Sequence, residues 1–261
     1  MSPDTLSLNG KVAIITGSGK ENGIGAGIAS TLARNGASVV INYVSDTSAP
    51  RAAEVAQKIE NAGGRATVVQ ADVSTQEGAK KLVKASLKAF QSDKVDILVN
   101  NAGGGPLVKV LEATKEEVEK TFAINTFASL YMTQAVVPVM PRGGRIINIG
   151  SIASKLGVSP IPLYSASKAA GDALSYAMAM ELGRGYGITI NTVAPGPVPT
   201  DGLPKGPVAD AVHNSLIPMT RAEERMGTVD DIADAVLLLA SEKSRWITGQ
   251  FISASGGITG G

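Results

Sequence analysis

Tyr164 and Lys168 stand four residues apart in Tyr164-Ser165-Ala166-Ser167-Lys168, at the opening of a segment with helical period. Residues at that interval share one helix face, so a phenol and an ammonium can serve the same site. Tyrosine titrates at about pH 10 in water, and a nearby cation favours the phenolate. The pair is therefore expected to bring Tyr164 toward the range of a working acid/base catalyst. By itself such a pair also describes a surface accident, and its neighbours decide between the two. Ser151 follows the apolar run Arg145–Ile149, and Asn100-Asn101-Ala102-Gly103 follows the run Val95–Val99. Ligands of open parallel sheets bind at the carboxyl ends of the strands, so these hydroxyl and amide groups mark one common edge.

A glycine-rich turn marks the same edge. Thr16-Gly17-Ser18-Gly19-Lys20-Glu21-Asn22-Gly23-Ile24-Gly25 separates the run Lys11–Thr16 from a helical segment. At Gly17, Gly23, Ile24 and Gly25, backbone N–H groups and a helix start can approach a pyrophosphate. The second run ends Ile41-Asn42-Tyr43-Val44-Ser45, where enzymes that prefer NAD usually carry an acidic residue for the ribose hydroxyls. Asn42, Tyr43 and Ser45 can instead donate to a 2′-phosphate, which a carboxylate would repel. NADP(H) is favoured, and the nearby Asp46 keeps NAD(H) open. Lys20 either adds positive charge there or is a solvated loop lysine.

The elements that must carry these groups are short β-branched runs alternating with helical segments. The runs are Lys11–Thr16, Ala37–Tyr43, Ala66–Gln70, Val95–Val99, Arg145–Ile149, Ile188–Val193 and Gln250–Ser253. Helices are expected at about 23–35, 49–62, 75–90, 111–138, 163–184 and 228–240. This alternation predicts an α/β fold, a doubly wound parallel sheet with helices on both faces. With no linker and no repeat in the sequence, residues 1–261 are expected to form a single domain. From 195 to about 226, five prolines (Pro197, Pro199, Pro204, Pro207 and Pro218) interrupt any long helix. A stretch of that length reads as a substrate lid, with a short helix near Val208–Ser215.

Composition narrows the partners. With 24 Lys+Arg against 23 Asp+Glu, the net charge of +1 provides no broad field for nucleic acid or an anionic membrane. The absence of Cys excludes a thiolate nucleophile, a disulfide framework and a Cys-ligated metal, and the lone His213 excludes a paired-His metal site. No metal is expected. The polar start and cysteine-free composition give the expectation of a cytoplasmic protein.

Taken in order, the glycine loop, Asp72, Asn101-Ala102-Gly103, Asn125, Ser151, Tyr164-x-x-x-Lys168 and Pro195-Gly196 resemble the short-chain dehydrogenase/reductase family, over residues 8–257. The resemblance implies a Rossmann-like fold and a small-molecule carbonyl or alcohol substrate. In the mechanism it implies, Tyr164 exchanges a proton with the substrate oxygen as NADPH delivers hydride to the carbon, and Ser151 orients that oxygen. Lys168 lowers the Tyr164 pKa and holds the nicotinamide ribose, while Asn125 positions a water leading to solvent. It also places Asp72 and Val73 by the adenine, and Pro195, Gly196, Val198 and Thr200 by the nicotinamide. Read without the family, Asn125 is a buried amide satisfied by backbone and Asp72 caps the helix near Ser74.

The family loop usually reads Thr-Gly-x-x-x-Gly-x-Gly, whereas five residues separate Gly17 from Gly23 here, leaving the contacts of Ser18–Asn22 open. Enoyl reductases have longer loops but usually space Tyr and Lys more widely, so carbonyl reduction fits better. Candidate substrate walls at 104–107, 152–154, 159–163 and 197–217 are small or apolar, which suits a hydrophobic, polyketide-like or 3-oxoacyl-like ketone. His213 reads as solvent-facing and Trp246 as packing. The family expectation is a homotetramer, otherwise a dimer. The alternative of another class is a noncatalytic NADP(H)-binding regulator on the same fold.

Overall fold

The computed structural model describes residues 6–159, 161–203 and 205–259. Seven strands, β1 (Val12–Ile15), β2 (Ser38–Tyr43), β3 (Arg65–Gln70), β4 (Ile97–Asn100), β5 (Arg145–Ile149), β6 (Thr189–Pro195) and β7 (Phe251–Ala254), form one sheet. Its order is β3-β2-β1-β4-β5-β6-β7, and every pair is parallel. The chain leaves β1 toward β2 and later returns to the other side of β1 as β4. Their carboxyl ends therefore diverge, opening the crevice in which doubly wound sheets bind ligands.

The helices are α1 (Ile24–Arg34), α2 (Ala49–Asn61), α3 (Gln76–Phe90), α4 (Lys115–Phe122), α5 (Ala128–Val136), α6 (Pro162–Tyr186), α7 (Pro207–Leu216) and α8 (Val229–Ala240). Consecutive strand residues point to opposite faces, and both faces are covered. Ile15, Val39, Ile41 and Val99 pack with α1, α2 and α8, while Ile14, Val40, Leu98 and Ile146 pack with α3, α5 and α6. Two apolar layers explain why the strands read as continuous hydrophobic runs rather than alternating ones.

The expected helix at 111–138 is divided. It starts later, at Lys115, because Thr114 and Glu117 form a reciprocal capping box. A π-helical turn, Ala123–Phe127, then separates α4 from α5. Among the described residues, Lys115–Val139 is the one helical run long and apolar enough to cross a membrane. Here its Ala128, Met132 and Val136 are buried in the core beneath the sheet. Asp72 is not the cap of α3: Thr75 accepts from Gly78 N at 3.0 Å, and Asp72 Oδ1 instead receives Ser74 N and Ser74 Oγ at 3.0 and 2.6 Å. Trp246, expected to pack, is 95% exposed.

Candidate active site

A cavity of about 510 Å³ lies over the carboxyl ends of the central strands. Its floor is the glycine loop. Gly17 has φ +63°, and a Cβ there would lie 2.8 Å from Ala102 Cα, so the β1 and β4 loops meet only because Gly17 has no side chain. Thr16 Oγ1 accepts from the N–H groups of Asn101 and Ala102, both at 3.0 Å, and Asn101 Nδ2 donates back to the Thr16 and Gly17 carbonyls at 2.9 and 3.1 Å. The Asn101 side chain is thus a clamp between the two loops.

Gly23, Ile24 and Gly25 line the cavity where α1 begins. No side chain caps α1, and no acidic residue stands in its first turn. Its partial positive charge is consequently left for an anion. The lining contains Lys20 and Lys168 but, among the described residues, neither Asp nor Glu. A phosphate-bearing dinucleotide fits this donor set.

The end of β2 departs from expectation. Tyr43 lines the cavity, together with Val44 and Ser48. Asn42 also reaches it, yet its amide is already spent: Oδ1 accepts from Gly17 N at 3.0 Å, and Nδ2 faces the carbonyls of Ala71, Val69 and Tyr43 at 3.1, 3.3 and 3.3 Å. Asn42 therefore braces the glycine loop and has no free donor for a phosphate. Ser45 is turned onto Thr47 and Ser48, outside the lining. Asp46 accepts from Gln70 Nε2 at 2.8 Å, which draws its carboxylate off the cavity. Asp72 and Val73 are likewise outside the lining; Asp72 is folded onto Ser74, and Val73 is buried in the core.

The additional loop residues have a defined use. Arg51 Nε donates to Glu21 Oε2 at 2.7 Å, and Arg51 Nη2 pairs with Asp201. One guanidinium on α2 thereby ties the extended glycine loop to the segment that follows β6.

At the other end, Ser151 projects from the end of β5 and accepts from Ala153 N at 3.1 Å, capping a short 3-10 turn. Its hydroxyl faces the phenol of Tyr164, in the first turn of α6, across the same cavity. Lys168 lies one turn further on, 5.7 Å from the Tyr164 ring centroid. It donates to the Ile149 carbonyl at 2.8 Å. Burial pushes the Tyr164 phenol above its ordinary value, the neighbouring Ser151 hydroxyl opposes this, and the Asp172 carboxylate pushes it further up. Burial also lowers Lys168 to about 8, against the opposing pull of Asp172. The expectation that Lys168 lowers the phenol is therefore not met here: the ammonium is aimed at the β5 backbone, and desolvation dominates both groups.

The π-helical turn positions Asn125. Oδ1 accepts from Gly104 N at 3.0 Å, while Nδ2 donates to the Gly104 and Thr121 carbonyls at 2.7 and 3.0 Å. Gly103 threads between Asn125 and Lys168: a Cβ there would lie 2.7 Å from Asn125 Oδ1 and 3.0 Å from Lys168 Nζ. Ala102, Gly103, Pro195, Gly196, Val198 and Thr200 all line the cavity. His213 lines it too, contrary to its reading as a solvent-facing residue, because α7 turns inward with Val212 and Leu216. The sequence reading missed Asp172, Arg51 and the pairing of Arg51 with Asp201.

The family model described as enoyl-(acyl carrier protein) reductase matches residues 17–259. A short-chain dehydrogenase/reductase from Cladobotryum sp, FrzI, is 39% identical over 97% of this chain and 97% of its own. The chain belongs to the short-chain dehydrogenase/reductase family. Membership in this family makes it an oxidoreductase. A 7alpha-hydroxysteroid dehydrogenase of Escherichia coli strain K12 is 37% identical over 97% of this chain and 96% of its own. The crystal structure of the angucycline C-6 ketoreductase LanV with bound NADP superposes with a TM-score of 0.87. It is 35% identical and covers 97% of this chain and 96% of its own. The short-chain dehydrogenase/reductase fold thus carries an NADP complex in a near neighbour, in keeping with the cofactor favoured above.

Proposed function

We propose that this member of the family reduces a ketone to a secondary alcohol with NADPH, or runs the reverse reaction, in the cytoplasm. The observation that carries the reading is the convergence of the Ser151 and Tyr164 hydroxyls on one cavity backed by Lys168. When bound, NADPH supplies the hydride. Ser151 and Tyr164 both donate toward the substrate oxygen, so charge developing on that oxygen meets donors already in place. Tyr164 gives up its proton to the oxygen; its raised pKa keeps it protonated for this step at neutral pH. Lys168 stands behind it as a cation, and Asn125 holds the Gly104 backbone, next to the Gly105 that packs against Tyr164.

The absence of carboxylates from the lining among the described residues, with Lys20 present, favours NADP(H) over NAD(H). The positive end of α1 and the loop residues Gly17, Gly23, Ile24 and Gly25 would take the pyrophosphate, with Lys20, Tyr43 and Ser48 toward the 2′-phosphate. Leu107, Leu156, Val158, Ile161, Leu203 and Leu216 make the remaining walls apolar, which suits a hydrophobic, polyketide-like ketone. The segment 195–226 is the lid of this proposal. Exposed Phe127, Tyr176 and Met180 on the outer helices support a homo-oligomer, a tetramer or otherwise a dimer.

Tyr164→Phe tests the reading. Turnover in a ketone panel, followed by loss of NADPH absorbance, is expected to fall about 10²- to 10⁴-fold, with NADPH affinity retained. Undiminished turnover would refute the acid role. Tight NADPH binding with no turnover of any ketone, enone or alcohol by the wild type would favour the noncatalytic regulator.

A further inference from the structure

Asp172 lies one turn beyond Lys168 and two beyond Tyr164, on the same face of α6. Behind Lys168 is a second, separate chamber of about 20 Å³, lined among others by Lys168, Asp172, Asn100 and Asn148. Two buried acceptors on its walls, Asp172 Oδ2 and Asn100 Oδ1, have no hydrogen-bond partner in the protein. Asn100 cannot turn to relieve this, because its Nδ2 donates to Asn148 Oδ1 at 2.8 Å and Asn148 in turn donates to Ser175 at 2.7 Å. An acceptor buried without a partner costs about 1–3 kcal/mol. A water molecule has two donors to offer, and a chamber of this size takes one. Lys168 uses one of its three N–H bonds on the Ile149 carbonyl, so others remain for the water.

We propose that Asp172 is a positioning residue of the active site: through one water held in this chamber, it keeps the Lys168 ammonium charged and fixed behind Tyr164. The proposal rests on the reductase reading above and extends it to a residue outside the main cavity. Lys168 and Tyr164 face Asp172 from its own helix. The Ser154 hydroxyl and the Lys155 ammonium face it from the turn after β5. The chamber groups from β4 and β5, Asn100 and Asn148, are neutral.

The direction of the effect follows. Asp172 raises Lys168 and also raises Tyr164, so its charge favours the protonated form of both groups. Reduction needs both protons. Removing the charge therefore moves the alkaline limb of the kcat/KM profile to lower pH, by about one unit for a charge acting across one bridging water. The ketone KM on the acid plateau is expected to stay near wild type, because Asp172 does not line the main cavity.

The experiment compares wild type with Asp172→Asn and Asp172→Ser. Ketone reduction is measured against pH, and Lys168 is titrated by NMR of its ¹³Cε, a readout that requires no turnover. In the wild type, Lys168 should titrate at about 8, and about one unit lower in both variants. Folded variants in which Lys168 titrates as in wild type would overturn the proposal, whatever their activity. A wild type inactive on every ketone, with the Lys168 shift intact, would instead sink the reductase reading alone. Should neither variant fold, a high-resolution crystal structure of the wild type decides: ordered water within hydrogen-bonding distance of Asp172 Oδ2 and Asn100 Oδ1 supports the proposal, and a dry chamber overturns it.

Discussion

Asn42→Ala separates a brace from a phosphate donor. Asn42 is 2% exposed, and its amide joins four backbone groups from the glycine loop, β2 and the end of β3. Alanine would leave the Gly17 N–H without its acceptor, at a cost of about 1–3 kcal/mol. It would also remove the two N–H donors that serve the three carbonyls, each bond contributing about 0.5–1.5 kcal/mol net. Together these give a loss of about 2–6 kcal/mol, read as a lower urea midpoint at unchanged slope. Because the damage lies beneath the glycine loop proposed to take the pyrophosphate of either cofactor, NADPH and NADH should lose affinity by similar factors in a fluorescence titration. Asn42→Asp should be worse still, since it keeps the Gly17 acceptor but buries a charge among three carbonyl oxygens. The reasoning fails if Asn42→Ala unfolds at the wild-type midpoint and weakens NADPH alone, the pattern of a residue that touches only the 2′-phosphate.

Two further outcomes follow from ion pairs. Arg51→Ala cuts the tie between Glu21 and Asp201; pairs this exposed contribute little to global stability, so the urea midpoint should hold while NADPH release, followed by stopped flow, quickens about two- to fivefold. An unchanged release rate would remove the latch from the account. Asp231, held down to about 2 by Arg225 and by the Thr228 N–H at the start of α8, has a folded pKa below its unfolded value. Its stabilisation is present above about pH 4 and is lost as pH falls toward about 2. Asp231→Asn should therefore be the less stable protein at neutral pH, with the gap closing over that acid range; a gap independent of pH would show that the pair does not couple to folding.

The sheet was legible because its strands are buried on both sides. Arg145–Ile149 was expected with the boundaries observed, and the other strands differ by a residue or two at their ends. The placement of Ser151, Tyr164 and Lys168 beside the cavity was legible for a related reason: a strand end and the first turns of a helix fix which way their side chains leave the backbone. Residue type alone misled at Asn42, where an amide capable of donating to a ligand is consumed by the chain's own carbonyls. Ser45 and Asp72 behave similarly, their side chains closing local turns with Thr47, Ser48 and Ser74. The inward face of His213 and the pairing of Arg51 with Asp201 depend on how the segment after β6 folds back, and no local pattern encodes that. Asp172 could have been found, since it repeats the interval that singled out Lys168.

The wide turn at Ala123–Phe127 carries one more residue per turn than its flanks, so the helix leaves it rotated relative to the way it entered. That extra residue uncouples two requirements: α5 keeps Met132 and Val136 against the sheet, while Asn125 is free to meet the Gly104 backbone. Deleting a single amino acid within this turn would restore ordinary helical winding and preserve the greasy stripe, yet swing the amide out of reach of its loop. Length, at this point in the chain, decides where Asn125 sits as much as residue identity does.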